Sequence, residues 1–342
     1  MTRAATEVTA QLADPAKIIV AIPTLNEERD ISETLDSLMA QAPQMRQVRI
    51  VVSDGGSTDR TREIVEDVAK RHPNISLIHN PHRVQAAGVN LVVERCTEPQ
   101  HEILVRVDAH ARYHPGYVLK VADSLLEHDV AALATVMDSV GETCFQKGLA
   151  WIAGTKVGAG GSSHRGGRQS DYVDHGHHAG FDLKRFRAVG GYDRHFIANE
   201  DAELDHRIRK AGGKIWLDAS VRMDYIVRTS LRKLAKQYWL YGRGRAQNLR
   251  AHKVLPRLRQ VIPPIAVIAC AISFAAAPFV PWALVVPGLY LLLIVGITAT
   301  VTLQHRSLCA LWAAPSLVCM HFAWGLGFLV ELALPRGGKS EI

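Results

Sequence analysis

From Val261 to Leu334 the chain carries only two formal charges, Arg306 and Glu331. So long an apolar stretch has no place in a soluble core. It divides into three runs, about Val261–Val280, Trp282–Leu303 and Leu308–Leu334. Each is close to the ~20 residues that cross a bilayer. Residues 261–334 are therefore expected to be a transmembrane helical region of about three spans, with 335–342 as a short tail. Pro263, Pro264, Pro278, Pro281, Pro287 and Pro315 should kink or end these helices. A hairpin of the first two runs that re-enters the same face also satisfies the pattern. The remainder of the 342 residues suffices for a soluble domain of about 200–250 residues.

Charge is as uneven as hydropathy. The net formal charge is +7, yet Arg222 to Arg259 alone holds eleven Lys/Arg against one acid, Asp224. Within residues 228–260, Leu231, Leu234, Tyr238, Trp239 and Leu249 alternate with Arg232, Lys233, Lys236, Arg243, Arg245 and Arg250. This is the pattern of a basic amphipathic segment on an anionic membrane surface, with Trp239 and Tyr241 at headgroup level. The adjoining apolar tail makes a membrane, and no nucleic acid, the expected partner. These cations and Arg306 put the preceding domain on the cytoplasmic side of the cell inner membrane, in a multi-pass protein, with Glu331 near the far interface. The five cysteines show neither C-x-x-C spacing nor a paired framework, which argues against a disulfide scaffold or structural zinc. Residues 1–15 lack an apolar signal segment and are expected to form a disordered leader.

Between Lys17 and Val136, β-branched runs alternate with helical periods. Strands are expected at Lys17–Ile22, Val48–Val52, Ile75–Ile78, Ile103–Val107 and Val130–Val136, and the helices between them carry Ile31/Leu35/Leu38, Ile64/Val65/Val68 and Tyr117/Val118/Val121/Leu125. That alternation calls for an α/β fold with a mostly parallel, Rossmann-like sheet. The first strand is followed by Pro23-Thr24-Leu25-Asn26-Glu27-Glu28 in place of G-x-G-x-x-G, which argues against a nicotinamide enzyme. Gly337-Gly338-Lys339-Ser340 lacks the first glycine of a P-loop.

The chemistry gathers at strand ends. Asp108 and His110, two residues apart after the fourth strand, can share one cation with a substrate's phosphates. Equally, Asp108 can cap the next helix and His110 can be an ordinary loop histidine. Ser53-Asp54-Gly55-Gly56-Ser57-Thr58-Asp59 suits a nucleoside clamp or a tight β-to-α turn. Glu200-Asp201 opens a helix, where a carboxylate stays ionised at neutral pH. Asp174-His175-Gly176-His177-His178-Ala179-Gly180 reads as a loop rather than a second metal site, and Glu203 and Asp205 as surface residues.

These motifs, in this order, resemble the inverting, GT-A-fold family 2 glycosyltransferases over roughly Lys17 to Arg245. The Asp-Ala-His form with a membrane tail looks most like the succinoglycan-biosynthesis branch of that family. The resemblance implies a GT-A domain over residues 16–227. It makes Pro23, Thr24, Asn26 and Glu27 the first wall of the nucleotide pocket and has Asp54, beside Gly55, accepting from uracil or ribose. Asn80, Arg83, Gln85, Gly88 and Asn90 would border the diphosphate and sugar. Asp108 would bind the nucleotide sugar through Mn²⁺ or Mg²⁺, with His110 as second ligand where the family more often has Asp. Asp201 would be the catalytic base, with Glu200, His178 and Gly180 on the acceptor side. Gln237 begins a Q-x-x-R-W motif that is not completed, which favours addition of a single sugar. The implied function is transfer of a hexose, with glucose expected, from a UDP-sugar or related nucleotide-diphosphate sugar to a lipid-linked glycan in exopolysaccharide biosynthesis, alongside other polysaccharide-assembly proteins. A polyprenyl-phosphate glycosyltransferase and a non-catalytic nucleotide-sugar-binding scaffold are the alternatives.

Overall fold

The computed structural model describes residues 12–155, 157–158, 160–196 and 198–334. Most of the expected leader and the whole of the tail 335–342 lie outside the described residues. The last leader residues are held: the Ala13 amide donates to Asp123 Oδ1 at 2.7 Å, and Asp14 caps a 3₁₀ turn at Pro15–Lys17. The chain forms two compact units. The first holds 1–136, 168–192 and 204–223, and the second holds 137–167, 193–203 and 224–342.

The first unit is built on β1 (Ile18–Thr24), β2 (Arg49–Asp54), β3 (Ile75–His79) and β4 (Ile103–Arg106). They lie in the order β3-β2-β1-β4 and all pair in parallel. Between them run α1 (Ile31–Ala40), α2 (Thr61–Arg71) and α3 (Gln85–Arg95). β1 reads as an unbroken apolar run because both its faces are covered: Ile18 to Ile22 are fully buried. Side chains of this size contribute roughly 1.5–3 kcal/mol each on burial. In register, Thr24 stands opposite Asp54 and Asp54 opposite His79, so the turns after β1, β2 and β3 end on one edge.

Beyond β4 the sheet departs from the parallel expectation. β5 (Ala111–Tyr113), α4 (Tyr117–His128), β6 (Ala132–Val140), β7 (Asp171–Tyr172), β8 (His177–Asp182), α6 (Leu183–Ala188), α7 (Glu200–Lys210) and β9 (Ile215–Ile226) follow. The sheet continues β4-β8-β6-β9-β5, and β8 runs antiparallel to both β4 and β6. The expected fifth strand therefore does not pair with the fourth, because β8 lies between them. The boundary between the units falls inside β6, α7 and β9.

The second unit contains α5 (Cys144–Ala153), α8 (Leu231–His252), α9 (Leu258–Ala276), α10 (Val285–His305) and α11 (Ala313–Ala333). The last three are long and apolar enough to cross a membrane. Pro263 and Pro264 lie within the first turns of α9 rather than ending it. One expectation needs correction. Cys144 and Cys309 form a disulfide between α5 and the 3₁₀ turn before α11, which spacing could not reveal at a separation of 165 positions. Glu331 is tied to α8: Arg243 Nε meets its carboxylate at 2.9 Å, and Arg250 donates to its carbonyl at 2.7 Å.

Candidate active site

The edge where β1, β2 and β4 end carries a cleft of about 160 Å³ lined by Pro23, Thr24, Leu25, Glu27, Ser53, Asn80, Arg83, Val84, Gln85, Asp108, Ala109 and His110. Four stretches far apart in sequence meet there, all within the first unit. A larger hollow of about 460 Å³, walled by Arg62, Glu66, Lys70 and His79, carries none of the proposed ligands and is a surface groove.

The walls of the cleft are stitched together by backbone chemistry. Asn26 adopts φ +57°, a conformation asparagine tolerates better than most residues. Its amide donates to Ser57 Oγ at 2.8 Å, and its Oδ1 accepts from the Thr58 amide at 2.8 Å. The Glu27 amide donates to Thr61 Oγ1 at 2.8 Å. Gly55 lets the third loop close in: a Cβ there would lie 3.2 Å from Arg83 Cα. At Gly88 a Cβ would meet Ser53, Asn80 and Pro23 at 3.1–3.2 Å.

Two residues expected at the ligand are held by the fold itself. Asp54 is buried, and its carboxylate accepts from the Gly56 and Ser57 amides at 3.0 to 3.2 Å. These bonds shape its own turn. Asn90 faces away from the cleft and brackets Tyr192: Nδ2 donates to the Tyr192 carbonyl at 2.7 Å, and Oδ1 accepts from its amide at 2.9 Å.

Asp108 is the most heavily engaged group in the cleft. Its Oδ1 accepts from Gln85 Nε2 at 2.8 Å and lies 3.4 Å from Arg106 Nη2, while Oδ2 lies 3.3 Å from His177 Nε2. Burial alone would raise this carboxyl's pKa. The Arg106 guanidinium and His177 overrule it and hold the group well below the ordinary carboxylate range. Arg106 in turn donates from Nη1 to Tyr192 Oη at 3.0 Å, Tyr192 Oη meets His178 Nδ1 at 3.0 Å, and His178 Nε2 meets Asp205 Oδ1 at 2.6 Å. A neutral His178 with its proton on Nε2 makes this one directed chain, Arg106 to Tyr192 to His178 to Asp205.

That chain corrects three expectations. His178 belongs to the interior, not to an acceptor loop. Gly180, in the same strand, admits no sugar: a Cβ there would sit 2.5 Å from Val121 Cγ1 and 3.1 Å from the Leu104 carbonyl. Asp205 is fully buried, and Glu203 nearly so, paired with His252 at 3.2 Å. Arg106, His177 and Tyr192 were not singled out from the sequence. A basic residue at the buried end of an apolar strand was the available signal.

His110 Nδ1 lies 2.9 Å from Glu27 Oε1. A proton on Nδ1 donated to Glu27 leaves the lone pair on Nε2, and a carboxylate behind an imidazole is the usual support of a metal-ligating histidine. Asp108 and His110 thus fit Mn²⁺ or Mg²⁺. Among the described residues no group of three or more His, Cys, Asp or Glu side chains is gathered to hold a metal. An ion here would complete its shell with water and phosphate oxygens, as Mg²⁺ commonly does.

Glu200 and Asp201 open α7 in the second unit. Asn199, at φ +60°, precedes them and is clamped by α8: its Nδ2 donates to the Tyr241 carbonyl at 2.9 Å, its carbonyl accepts from Asn248 at 3.0 Å, and its Oδ1 from Arg245 at 3.3 Å. The basic helix therefore fixes where the Asp201 turn begins. Nearby in the same unit, Gln237 Nε2 donates to Tyr225 Oη at 2.6 Å and Tyr241 Oη at 2.9 Å, and Arg165 lies over the Tyr225 ring at 5.6 Å.

Fold and site together define a glycosyltransferase domain of the GT-A type. The solved mannosyltransferase PcManGT from Pyrobaculum calidifontis, in complex with GDP-Man and Mn²⁺, shares this fold with a TM-score of 0.58 at 19% identity, over 95% of this chain and 90% of that one. Residues 19–190 match the family Glycosyl transferase family 2. The succinoglycan biosynthesis protein ExoA of Rhizobium meliloti (strain 1021) is 38% identical over 315 residues, 92% of this chain and 94% of that protein. A dolichyl N-acetyl-alpha-D-glucosaminyl phosphate 3-beta-D-2,3-diacetamido-2,3-dideoxy-beta-D-glucuronosyltransferase of Methanococcus voltae is 24% identical over 68% of this chain and 74% of its own length. The chain belongs to glycosyltransferase family 2.

Proposed function

We propose that the protein is a membrane-anchored, inverting hexosyltransferase that moves one sugar, with glucose expected, from a nucleotide-diphosphate donor, expected to be a UDP-sugar, to a lipid-linked glycan in exopolysaccharide assembly. The observation that carries this reading is the cleft in which Asp108, Gln85, Arg83 and the Glu27–His110 pair converge at the strand ends. Parallel α/β sheets take ligands at this edge. The donor's diphosphate would lie against Arg83 and Gln85, with Pro23, Thr24 and Asn26 bordering the nucleoside. A Mn²⁺ or Mg²⁺ ion held by Asp108 and His110 would offset the charge that develops on the leaving diphosphate.

Asp201, with Glu200 beside it, takes the proton from the acceptor hydroxyl as that oxygen bonds to the anomeric carbon. The bond from that carbon to the diphosphate breaks on the opposite face, so the configuration inverts and the nucleoside diphosphate leaves. The transition state is oxocarbenium-like, as in glycoside hydrolysis. The three apolar helices and the basic α8 support anchoring at the inner membrane with the catalytic domain in the cytoplasm. The similarity to ExoA supports a succinoglycan-like pathway and other assembly proteins as neighbours.

The test is turnover of a panel of nucleotide sugars by membranes containing the protein, with Mn²⁺ or Mg²⁺ against EDTA, and with Asp201→Asn as control. Metal-dependent release of one nucleoside diphosphate, reduced about 10²–10⁴-fold in Asp201→Asn, and a lipid-linked oligosaccharide one sugar longer are expected. A monosaccharide lipid product would replace this reading with a polyprenyl-phosphate transferase. Donor binding without turnover would leave a non-catalytic scaffold.

A further inference from the structure

We infer that the apolar tail crosses the membrane twice rather than three times: α9 and α10 form the crossing hairpin, and α11 stays with α8 and returns the C-terminus to the side of the bilayer that α8 occupies. This rests on the reading of the tail as membrane-embedded and goes beyond it in fixing the path. Length and hydropathy alone do not separate the three helices, since each is a candidate span. Their surroundings within the second unit do.

α9 and α10 offer their apolar side chains outward. Ile265, Ile272 and Phe274 on α9 and Leu289, Leu291, Leu292 and Leu293 on α10 are each more than half exposed. Patches of this size need a lipid or protein covering. The turn between the helices projects Phe279 and Trp282, 87% and 82% exposed, at the tip where an aromatic side chain meets the opposite headgroups. With 19 residues at about 1.5 Å each, α9 reaches roughly 28 Å, which matches a bilayer core of about 30 Å.

α11 is covered by protein along one face, a third of its apolar stretch being buried against 22% for α9 and 17% for α10. Ala313, Ser316, Leu317, Met320, Gly325, Gly327 and Phe328 are buried among neighbouring helices. Its main partner is α8, and the two run side by side in the same direction. Cys319 lies against the Leu231 carbonyl at 3.6 Å, Gly327 against the Trp239 carbonyl, and Glu331 against Arg243 and Arg250. Leu231–Cys319, Trp239–Gly327 and Arg243–Glu331 share one offset, so the two helices run parallel from Cys319 to Glu331. α8 carries Arg232, Lys233, Lys236, Arg243, Arg245 and Arg250, and a cation at the bilayer centre costs about 2.5–3.5 kcal/mol or more. α8 therefore lies outside the hydrocarbon, and α11 lies at its depth.

The end of α10 has already come back. His305 stacks on Trp151 of α5 at 4.2 Å and 6°, and Cys309 is joined to Cys144 of the same helix. Arg306 and Glu331, the two charges of the tail, thus both fall on the side of α8. A third crossing would carry Glu331 across the bilayer and strip α8 of its partner.

The test uses the full chain in intact cells, with green fluorescent protein or alkaline phosphatase fused after Ile342, and Val280→Cys probed with a membrane-impermeant maleimide. A fluorescent fusion, phosphatase activity at background and labelling of Val280→Cys from outside, at least tenfold above the unsubstituted protein, are expected. Phosphatase activity tenfold above background would mean that α11 crosses and would overturn the inference. Labelling of Val280→Cys only after permeabilisation would overturn it as well, because the hairpin would then turn back within the membrane. Release of the protein by alkaline carbonate would instead refute the membrane reading on which it rests.

Discussion

Removing one oxygen atom, in Tyr192→Phe, tests the chain that runs behind Asp108. The ring should stay in place, because it packs on Phe181 and Phe186 with centroids 5.9 and 5.7 Å away. What is lost is the hydroxyl that accepts from Arg106 and meets His178, both of which are buried. Each buried polar group left without a partner costs about 1–3 kcal/mol. Arg106 keeps Asp108 at 3.4 Å, which offsets part of that. The substitution should therefore lower stability by about 2–4 kcal/mol, a large share of the 5–15 kcal/mol typical of a domain. Urea titration of the full-length protein in detergent, read by pulse proteolysis, measures this, with the exposed Tyr172→Phe as a control expected to change less than about 0.5 kcal/mol. Arg106 also stands 3.4 Å from Asp108, so nucleotide-sugar turnover should fall by roughly tenfold, about 1.4 kcal/mol, before unfolding sets in. A loss below about 0.5 kcal/mol with unchanged turnover would show that the hydroxyl neither satisfies Arg106 nor steadies Asp108.

The other predictions concern metal, pH and packing. Glu27→Gln should weaken the support of His110, and the Mn²⁺ concentration giving half-maximal activity should rise about tenfold, while an unchanged value would remove His110 from the metal site. Asp108 is held below the pKa near 3.9 of an unfolded Asp. Its contribution to stability is therefore present above pH ~4 and lost as pH falls through the lower, folded value. Asp108→Asn should thus show a flatter decline of the urea midpoint from pH 5 to pH 3 than the unsubstituted protein, and parallel curves would contradict the assignment. Gly242→Ala should cost about 1–3 kcal/mol or block accumulation, because the new Cβ overlaps the Trp324 carbonyl on α11. Gly288→Ala, with nothing within 4 Å, should be neutral, and equal behaviour of the two would argue against the close α8–α11 contact.

What the sequence revealed and what it concealed divide along a physical line. The motif turns after β1 and β2 were legible because their chemistry is local: proline, asparagine and glycine at strand ends mark where backbone must bend. The parallel half of the sheet was legible because strands covered on both faces are apolar throughout. β8 was not, since His177-His178-Ala179-Gly180-Phe181-Asp182 has neither alternation nor a β-branched run. It is a strand because β4 and β6 leave a slot between them, and because Gly180 fits under Val121 where a larger residue would not.

The same line separates the two kinds of motif residue. Asp54 and Asn90 belong to the motif set as Gln85 and Asp108 do, and their polar atoms bond the Gly56–Ser57 amides and Tyr192. Gln85 and Asp108 line the cleft and bond each other there. A motif marks positions that a function constrains, without saying whether the constraint acts on the ligand or on the loop that meets it. Conversely, Arg106, His178 and Asp205 resemble surface residues by composition and become legible only once three separate elements are folded together. Each is tolerable in the interior only because the next satisfies it. Substitution of Asp54 should therefore disturb the turn at Gly56–Ser57 in the absence of any nucleotide, whereas substitution of Gln85 should leave the unliganded fold intact and weaken only what binds beside Asp108.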